Sequence, residues 1–64
     1  MRAIIKCDNK IKGRTDFPIL PRYNDKVRLR NGETYRIKGI AFVESTDVSE
    51  MDYIGHIELD CIKL

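Results

Sequence analysis

Five basic side chains surround one Asn-Gly pair near the middle of the chain, and together they could bind phosphate groups. They recur mostly at every second position of "KVRLRNGETYRIK", residues 26–38, and are Lys26, Arg28, Arg30, Arg36 and Lys38. Alternate residues of a β-strand point to the same face, so this spacing would collect the charges on one surface. Such a surface could follow a nucleic-acid backbone, because neutralised phosphates release counterions. Three further basic residues could extend it, namely Lys10, Lys12 and Arg14.

The two parts of the chain carry opposite charge. Residues 1–38 hold eleven Lys and Arg against four acids, a net +7, whereas residues 39–64 hold one Lys against six acids, a net −5. An uneven distribution of this kind can indicate a basic face for nucleic acid. It also arises when two oppositely charged segments pair within one sheet, and charge patterning does not choose between these interpretations.

The remaining reactive side chains do not form a recognised catalytic or metal-binding motif. His56 alternates with Glu58 and Asp60, which makes an acid–base pair conceivable, but a surface histidine beside acids is the commoner arrangement. Cys7, Cys61 and His56 lack zinc-site spacing and a fourth ligand. Neither a glycine-rich phosphate loop nor a nucleophile motif occurs. We therefore predict a protein that is not an enzyme and that holds no cofactor or metal.

The Asn-Gly pair predicts a β-hairpin, and the apolar residues beside it decide the length of the loop. A two-residue loop would place the apolar side chains of the two strands on opposite faces, which sacrifices burial. A three-residue loop pairs Leu29 with Glu33 and Val27 with Tyr35, and so keeps the apolar set on one face. It also gives Gly32 the left-handed position of a β-bulge, where glycine is favoured. We predict the three-residue loop.

The same register sets Lys26 directly opposite Arg36, and like charges in facing positions destabilise a sheet. An external anion could compensate this repulsion. Alternatively, the last strand could pair beside residues 26–30 and supply Glu58 and Asp60 as neutralising acids. The two arrangements differ in function, because the first leaves the hairpin electropositive and the second does not.

Short β-branched or alternating segments, separated by turn residues, predict the remaining strands. "RAIIKC" at residues 2–7 predicts a first strand, with a short partner strand around Ile11 that Gly13 ends. Gly39 marks a predicted bend or bulge in the second hairpin strand. The alternation of apolar and acidic residues over 57–61 predicts the last strand.

These elements predict a single all-β domain over residues 1–64, built as a strongly bent sheet or small barrel of about five strands. Asp47 followed by Glu50 fits a capping box, so at most one short helical turn is expected. The predicted core consists of Val27, Leu29, Tyr35, Ile37, Ile57 and Leu59.

Residues 17–23 combine two prolines with apolar side chains. The prolines exclude a helix or a central strand, so we expect a loop that covers an open end of the sheet as a lid. If the lid is incomplete, an exposed patch suited to a protein partner or a homodimer is formed by Phe17, Ile19, Leu20 and Tyr23. The spacing of Pro18 and Pro21 also matches ligands of aromatic grooves. Tyr23 and Tyr53 are candidates for stacking on bases.

The two cysteines are too few for a disulfide-dense secreted scaffold. Cys7 and Cys61 lie on the predicted terminal strands, which small barrels often bring together. We predict that they are reduced core residues even if they are close, because a free cysteine packs as a small hydrophobe. No run approaches the roughly 18 apolar residues that a membrane span requires. A cytoplasmic protein without membrane contact is the simplest interpretation.

The segment "DKVRLRNGETYRIKGIA", residues 25–41, resembles the KOW motif of SH3-like barrels in ribosomal and transcription-associated proteins. Six residues fall on the acidic, apolar and glycine positions of that motif: Asp25, Val27, Leu29, Gly32, Gly39 and Ala41. Arg36 occupies the position of its central glycine. The resemblance implies an SH3-like barrel that contacts RNA or a protein partner and is not an enzyme.

Together these observations predict a small non-enzymatic binding module. The first hypothesis is that it contacts the phosphate backbone of RNA or DNA through a basic hairpin face, defined as Lys26, Arg28, Arg30, Arg36 and Lys38. The alternative is a protein-interaction or assembly module, for example a phage or mobile-element accessory protein. Such a module would use the apolar proline-containing loop or an exposed strand edge.

Overall fold

A computed structural model of the chain describes residues 1–44 and 55–64 and contains five strands. These are β1 (Arg2–Cys7), β2 (Lys10–Asp16), β3 (Lys26–Arg28), β4 (Thr34–Val43) and β5 (His56–Lys63). They form one curled sheet in the order β2-β1-β5-β4-β3, which confirms the all-β prediction and is compatible with a small SH3-like barrel. Within the two described ranges, no helix has the length and hydropathy to cross a membrane. The predicted helical turn at residues 47–50 lies outside these ranges.

A tight turn joins the first two strands, and β2 continues further than predicted. Asp8 and Asn9 both have positive φ, 53° and 63°, as the two central residues of a type I′ turn require. The prediction that Gly13 ends the second strand is wrong, because β2 runs through it. The register of the pair shifts between Ile5 and Lys6, so a bulge rather than a strand end takes up the irregularity.

The β3–β4 hairpin has the predicted three-residue loop. The Leu29 amide donates to the Glu33 carbonyl at 2.8 Å, and the Gly32 amide donates back to the Leu29 carbonyl at 2.9 Å. Gly32 has a φ of +91°, a left-handed conformation that suits glycine. Val27 pairs with Tyr35 as predicted, and both side chains are buried.

The last strand lies in the centre of the sheet rather than beside β3. It pairs in parallel with β1 and antiparallel with β4, where Ile37 faces Cys61. The arrangement in which the last strand pairs beside residues 26–30 is therefore wrong, because β4 separates β5 from β3. A register shift between Ile37 and Gly39 confirms the predicted bulge in β4.

Inward-facing residues of four strands make the core. They are Ala3, Ile5, Cys7, Val27, Tyr35, Ile37, Ile57, Leu59 and Cys61. The predicted core is confirmed except at Leu29, which is only partly buried and packs against this cluster. Leu29 follows the short edge strand β3, where no other described strand lies beyond it to complete its burial.

The two cysteines lie in the core as predicted. Cys7 and Cys61 are buried free thiols on the adjacent strands β1 and β5. Burial raises the pKa of the Cys61 thiol to about 11, with further contributions from Cys7 and the Asp60 carboxylate. At neutral pH the Cys61 sulfur is therefore protonated and a weak nucleophile, which is typical of a structural cysteine.

Candidate functional site

The basic hairpin face lies along the outer side of β3, the loop and the first part of β4. Four of its members are exposed, and Arg36 is half-buried. Lys26 faces Arg36 across the ladder, as the sequence predicts. The hairpin therefore carries two like charges in facing positions, which mildly destabilises the strand pair unless an anion compensates them.

The acids expected to neutralise this face lie on β5, two strands away from β3. Glu58 bonds instead to Lys6 of β1 at 3.4 Å and to His56 Nε2 at 3.5 Å. His56 and then Lys6 hold the pKa of Glu58 below its ordinary value of 4.5. Asp60 faces Gly39 in the ladder. No described carboxylate forms an ion pair with any of the five cations, so the neutralised arrangement is wrong.

Arg36 has a hydrogen-bonding group that the described residues do not satisfy. Its Nε atom is buried, and none of their acceptors reaches it. A buried donor without a partner costs about 1–3 kcal/mol.

Glu33 fixes the hairpin loop to the end of the sheet. Its backbone amide donates to Asn31 Oδ1 at 2.9 Å, and Asn31 Nδ2 donates to its Oε1 at 2.8 Å. Lys63 forms an ion pair with Glu33 Oε2, and the Tyr35 hydroxyl donates to Oε1 at 3.3 Å. Lys63, followed by Asn31, lowers the pKa of Glu33, while burial and the Glu33 charge raise the pKa of Tyr35. The loop that carries Arg30 is thereby held in place.

Glu33→Gln should destabilise the protein at neutral pH and make its stability less sensitive to acid. Because the folded pKa lies below 4.5, the carboxylate contributes fully above that pH, and the contribution disappears as the pH falls towards the lowered value. Urea unfolding followed by circular dichroism at about pH 7 and about pH 3 measures both effects. Glu44→Gln, at an exposed residue after β4, is the control. An equal acid sensitivity of E33Q and the wild type would contradict the role given to Glu33.

The proline-containing loop covers the sheet only at its first residue. Phe17 packs against the core, and its backbone exchanges hydrogen bonds of 2.8 and 2.7 Å with Met1. The other predicted partner-binding side chains are exposed, Ile19 by 77%, Leu20 by 41% and Tyr23 by 62%. The lid prediction is therefore wrong for most of the loop, which instead presents the exposed apolar patch. Tyr53, the second stacking candidate, lies outside the described residues.

A groove between the two edge strands is the feature that sequence reasoning missed. It has a volume of about 550 Å³ and lies between β2 on one side and β3 with its loop on the other. Lys12 and Arg14 line it from β2, across from Arg28 and Arg30. Lys10 is exposed at the start of β2 and does not line the groove. One feature of the sequence could have indicated this groove. Gly13 lies within β2, and a glycine in a strand often marks the close approach of another segment.

Neither a metal site nor a known relative indicates a function. The described residues hold no group of three or more His, Cys, Asp or Glu side chains that could bind a metal ion. Comparison with family models, curated proteins and solved structures finds no match for the chain. What the protein binds must therefore be inferred from its own geometry and charge.

Proposed function

We propose that this chain is a small non-enzymatic module that binds the phosphate backbone of RNA or DNA through the basic hairpin face. The observation that carries the proposal is that no ion pair within the described residues neutralises the face. Its five cations lie on one hairpin, and no carboxylate of the described residues pairs with them. Unneutralised positive charge gathered on one surface attracts polyanions, most strongly at low ionic strength.

The Lys26–Arg36 pair supports an anionic partner rather than an apolar one. The repulsion between these facing residues lowers the stability of the strand pair by less than about 1 kcal/mol. A phosphate beside them would replace that repulsion by two attractions. Arg36 is also where the chain departs from the KOW motif, so the departure adds a cation to the segment whose resemblance implies RNA or protein contact.

A cytoplasmic location belongs to the proposal. The two cysteines are free and buried, and reduced thiols are the usual state in a compartment where glutathione and thioredoxin are present. Nucleic acid is available to the protein in the same compartment.

A second candidate function is protein interaction, and the exposed proline-containing loop favours it. Ile19 and Tyr23, four positions apart in one loop, expose 77% and 62% of their surface, and exposed apolar side chains of one segment can form a contact surface for a partner. A partner protein that covers this patch would gain the burial that the sheet does not provide.

Binding to fluorescent duplex DNA and retention on heparin, both measured against salt concentration, test the primary proposal. With about three to five phosphate contacts, log affinity should fall with log salt concentration with a slope near −3 to −4. Retention of neither polyanion at low salt would end the nucleic-acid proposal and leave protein interaction as the function to test.

A further inference from the structure

The curled sheet is open between β2 and β3, and we call this opening the seam. Among the described strands, β2 pairs only with β1. Met1 and Phe17 exchange two backbone hydrogen bonds, and pairs of this kind alternate along an antiparallel ladder. The amides and carbonyls of Arg14 and Asp16 therefore point away from β1, towards the seam.

On the opposite side of the seam, backbone groups of β3 also point into the opening. Among the described strands, β3 pairs only with β4. The Leu29 amide bonds to the Glu33 carbonyl, so by the same alternation the backbone groups of Lys26 and Arg28 point away from β4. Two strand edges that no described strand covers thus face the opening, and uncovered edges readily pair with another extended chain.

The groove within the seam combines an apolar floor with cationic walls. The floor is made by Ile5, Phe17, Val27 and Leu29. The walls carry Lys12, Arg14, Arg28 and Arg30, and no described carboxylate lines the groove. Leu29 Cδ2 lies 3.4 Å from the position that a Cβ on residue 13 would occupy, so side chains close the bottom of the seam without a backbone ladder.

These properties select an extended acidic peptide as the occupant. In an extended chain alternate side chains point to opposite sides, so apolar residues can enter the floor while acidic ones meet the walls. Its backbone can also satisfy a free strand edge, which a nucleic-acid backbone cannot do. A second copy of this chain is unsuitable, because edge-to-edge pairing would bring cations against cations.

We propose that the seam binds an extended acidic segment of a partner protein, which adds as a strand to the free edge of β2. β2 is the better template because it has seven residues and β3 has three. The proposal goes beyond nucleic-acid binding and concerns a second surface, although Arg28 and Arg30 belong to both. A module with both surfaces would link an acidic protein to a nucleic acid.

A fluorescent peptide of about ten residues, with alternating glutamate and valine, is the probe for strand addition. The wild-type protein should bind it, and methylating the peptide amides should weaken binding at least about tenfold, since hydrogen bonds are lost at unchanged charge. Undiminished binding of the methylated peptide, or no binding of the parent peptide at about 1 mM, would overturn the proposal.

Two charge-matched double variants separate the seam from the basic hairpin face. Lys12→Glu with Arg14→Glu should weaken peptide binding at least about tenfold and change duplex-DNA binding less than about threefold at about 0.15 M salt. Arg36→Glu with Lys38→Glu should weaken duplex-DNA binding at least about tenfold and change peptide binding less than about threefold under the same conditions. Equal loss of peptide binding in both variants would overturn the seam proposal, whatever happens to DNA. Oligothymidylate should not displace the peptide from the seam. If it did, and if it bound the Lys12→Glu, Arg14→Glu variant more weakly than the wild type, the seam would be assigned to single-stranded nucleic acid instead.

Discussion

Replacing Arg28 and Arg36 together by glutamate should abolish binding to duplex DNA at low salt and leave the circular dichroism spectrum unchanged. Arg28 is exposed and Arg36 is half-buried, and neither belongs to the apolar core cluster. The double variant loses two phosphate contacts of the expected three to five and places two negative charges beside those that remain. Either single substitution removes one contact and should reduce the magnitude of the salt slope by about 0.9.

Stability provides an independent check on the same substitutions. In the R36E variant the introduced carboxylate would face Lys26, which turns a repulsive pair into an attractive one. Arg36→Glu should therefore raise the free energy of unfolding by about 0.2–1 kcal/mol while it weakens binding. A variant that binds less and is more stable is difficult to explain by partial unfolding.

Arg2→Glu is the matched control for Arg36→Glu, since both reverse one arginine. Arg2 is exposed on β1, which β5 and β4 separate from β3. DNA binding should change far less in R2E than in R36E. Equal weakening by the two variants would show that overall net charge, and not the basic hairpin face, attracts the nucleic acid.

The hairpin could be predicted from the sequence because its determinants are local. The Asn-Gly pair marks the turn. Because side chains alternate between the two faces of a strand, the three-residue loop, unlike a two-residue one, puts Val27 and Leu29 on the same face as Tyr35. Gly32 then has to adopt positive φ, as it does. Each of these constraints acts within about ten residues, so no knowledge of distant strands was needed.

The position of the last strand could not be predicted in the same way. The alternation of Ile57, Glu58, Leu59 and Asp60 shows that one face is buried, but it does not identify the neighbouring strands. Charge suggested β3 as the neighbour, whereas β5 pairs with β1 and β4. In that position its inward-facing side chains gain apolar contacts from the strands on both sides, and such contacts outweigh exposed charge pairs of about 0–1 kcal/mol.

The seam escaped prediction because it depends on the curl of the whole sheet. Lys12 and Arg14 are separated from Arg28 and Arg30 by at least fourteen positions in the sequence, and they lie on strands at opposite ends of the sheet order. Only the curl brings them to one groove. The burial of Leu29 was overestimated for the same reason, since the sequence pattern does not indicate that the sheet stays open beside it.

Leu59→Ala should be among the most destabilising of the core truncations. Leu59 is fully buried in the central strand β5, between Ile5 of β1 and Ile40 of β4. Removing its side-chain atoms should cost about 2–5 kcal/mol, through lost burial and the cavity left behind. A chain of this length has a total stability of about 3–10 kcal/mol, so the variant should lose a large part of it and would unfold if the total lies at the low end. Urea unfolding followed by circular dichroism measures the loss.

Leu64→Ala is the matched control, because it makes the same chemical change at a residue that is 55% exposed. Its cost should be within about 0.5 kcal/mol, as for surface substitutions in general. Ile57→Val, at a buried neighbour on the same strand, should give an intermediate loss of about 0.5–1.5 kcal/mol that can be measured even if Leu59→Ala does not fold. Similar stabilities for L59A and L64A would contradict the placement of β5 at the centre of the sheet. The graded order L64A, I57V, L59A follows because L64A changes an exposed residue, I57V removes one buried carbon and L59A removes three.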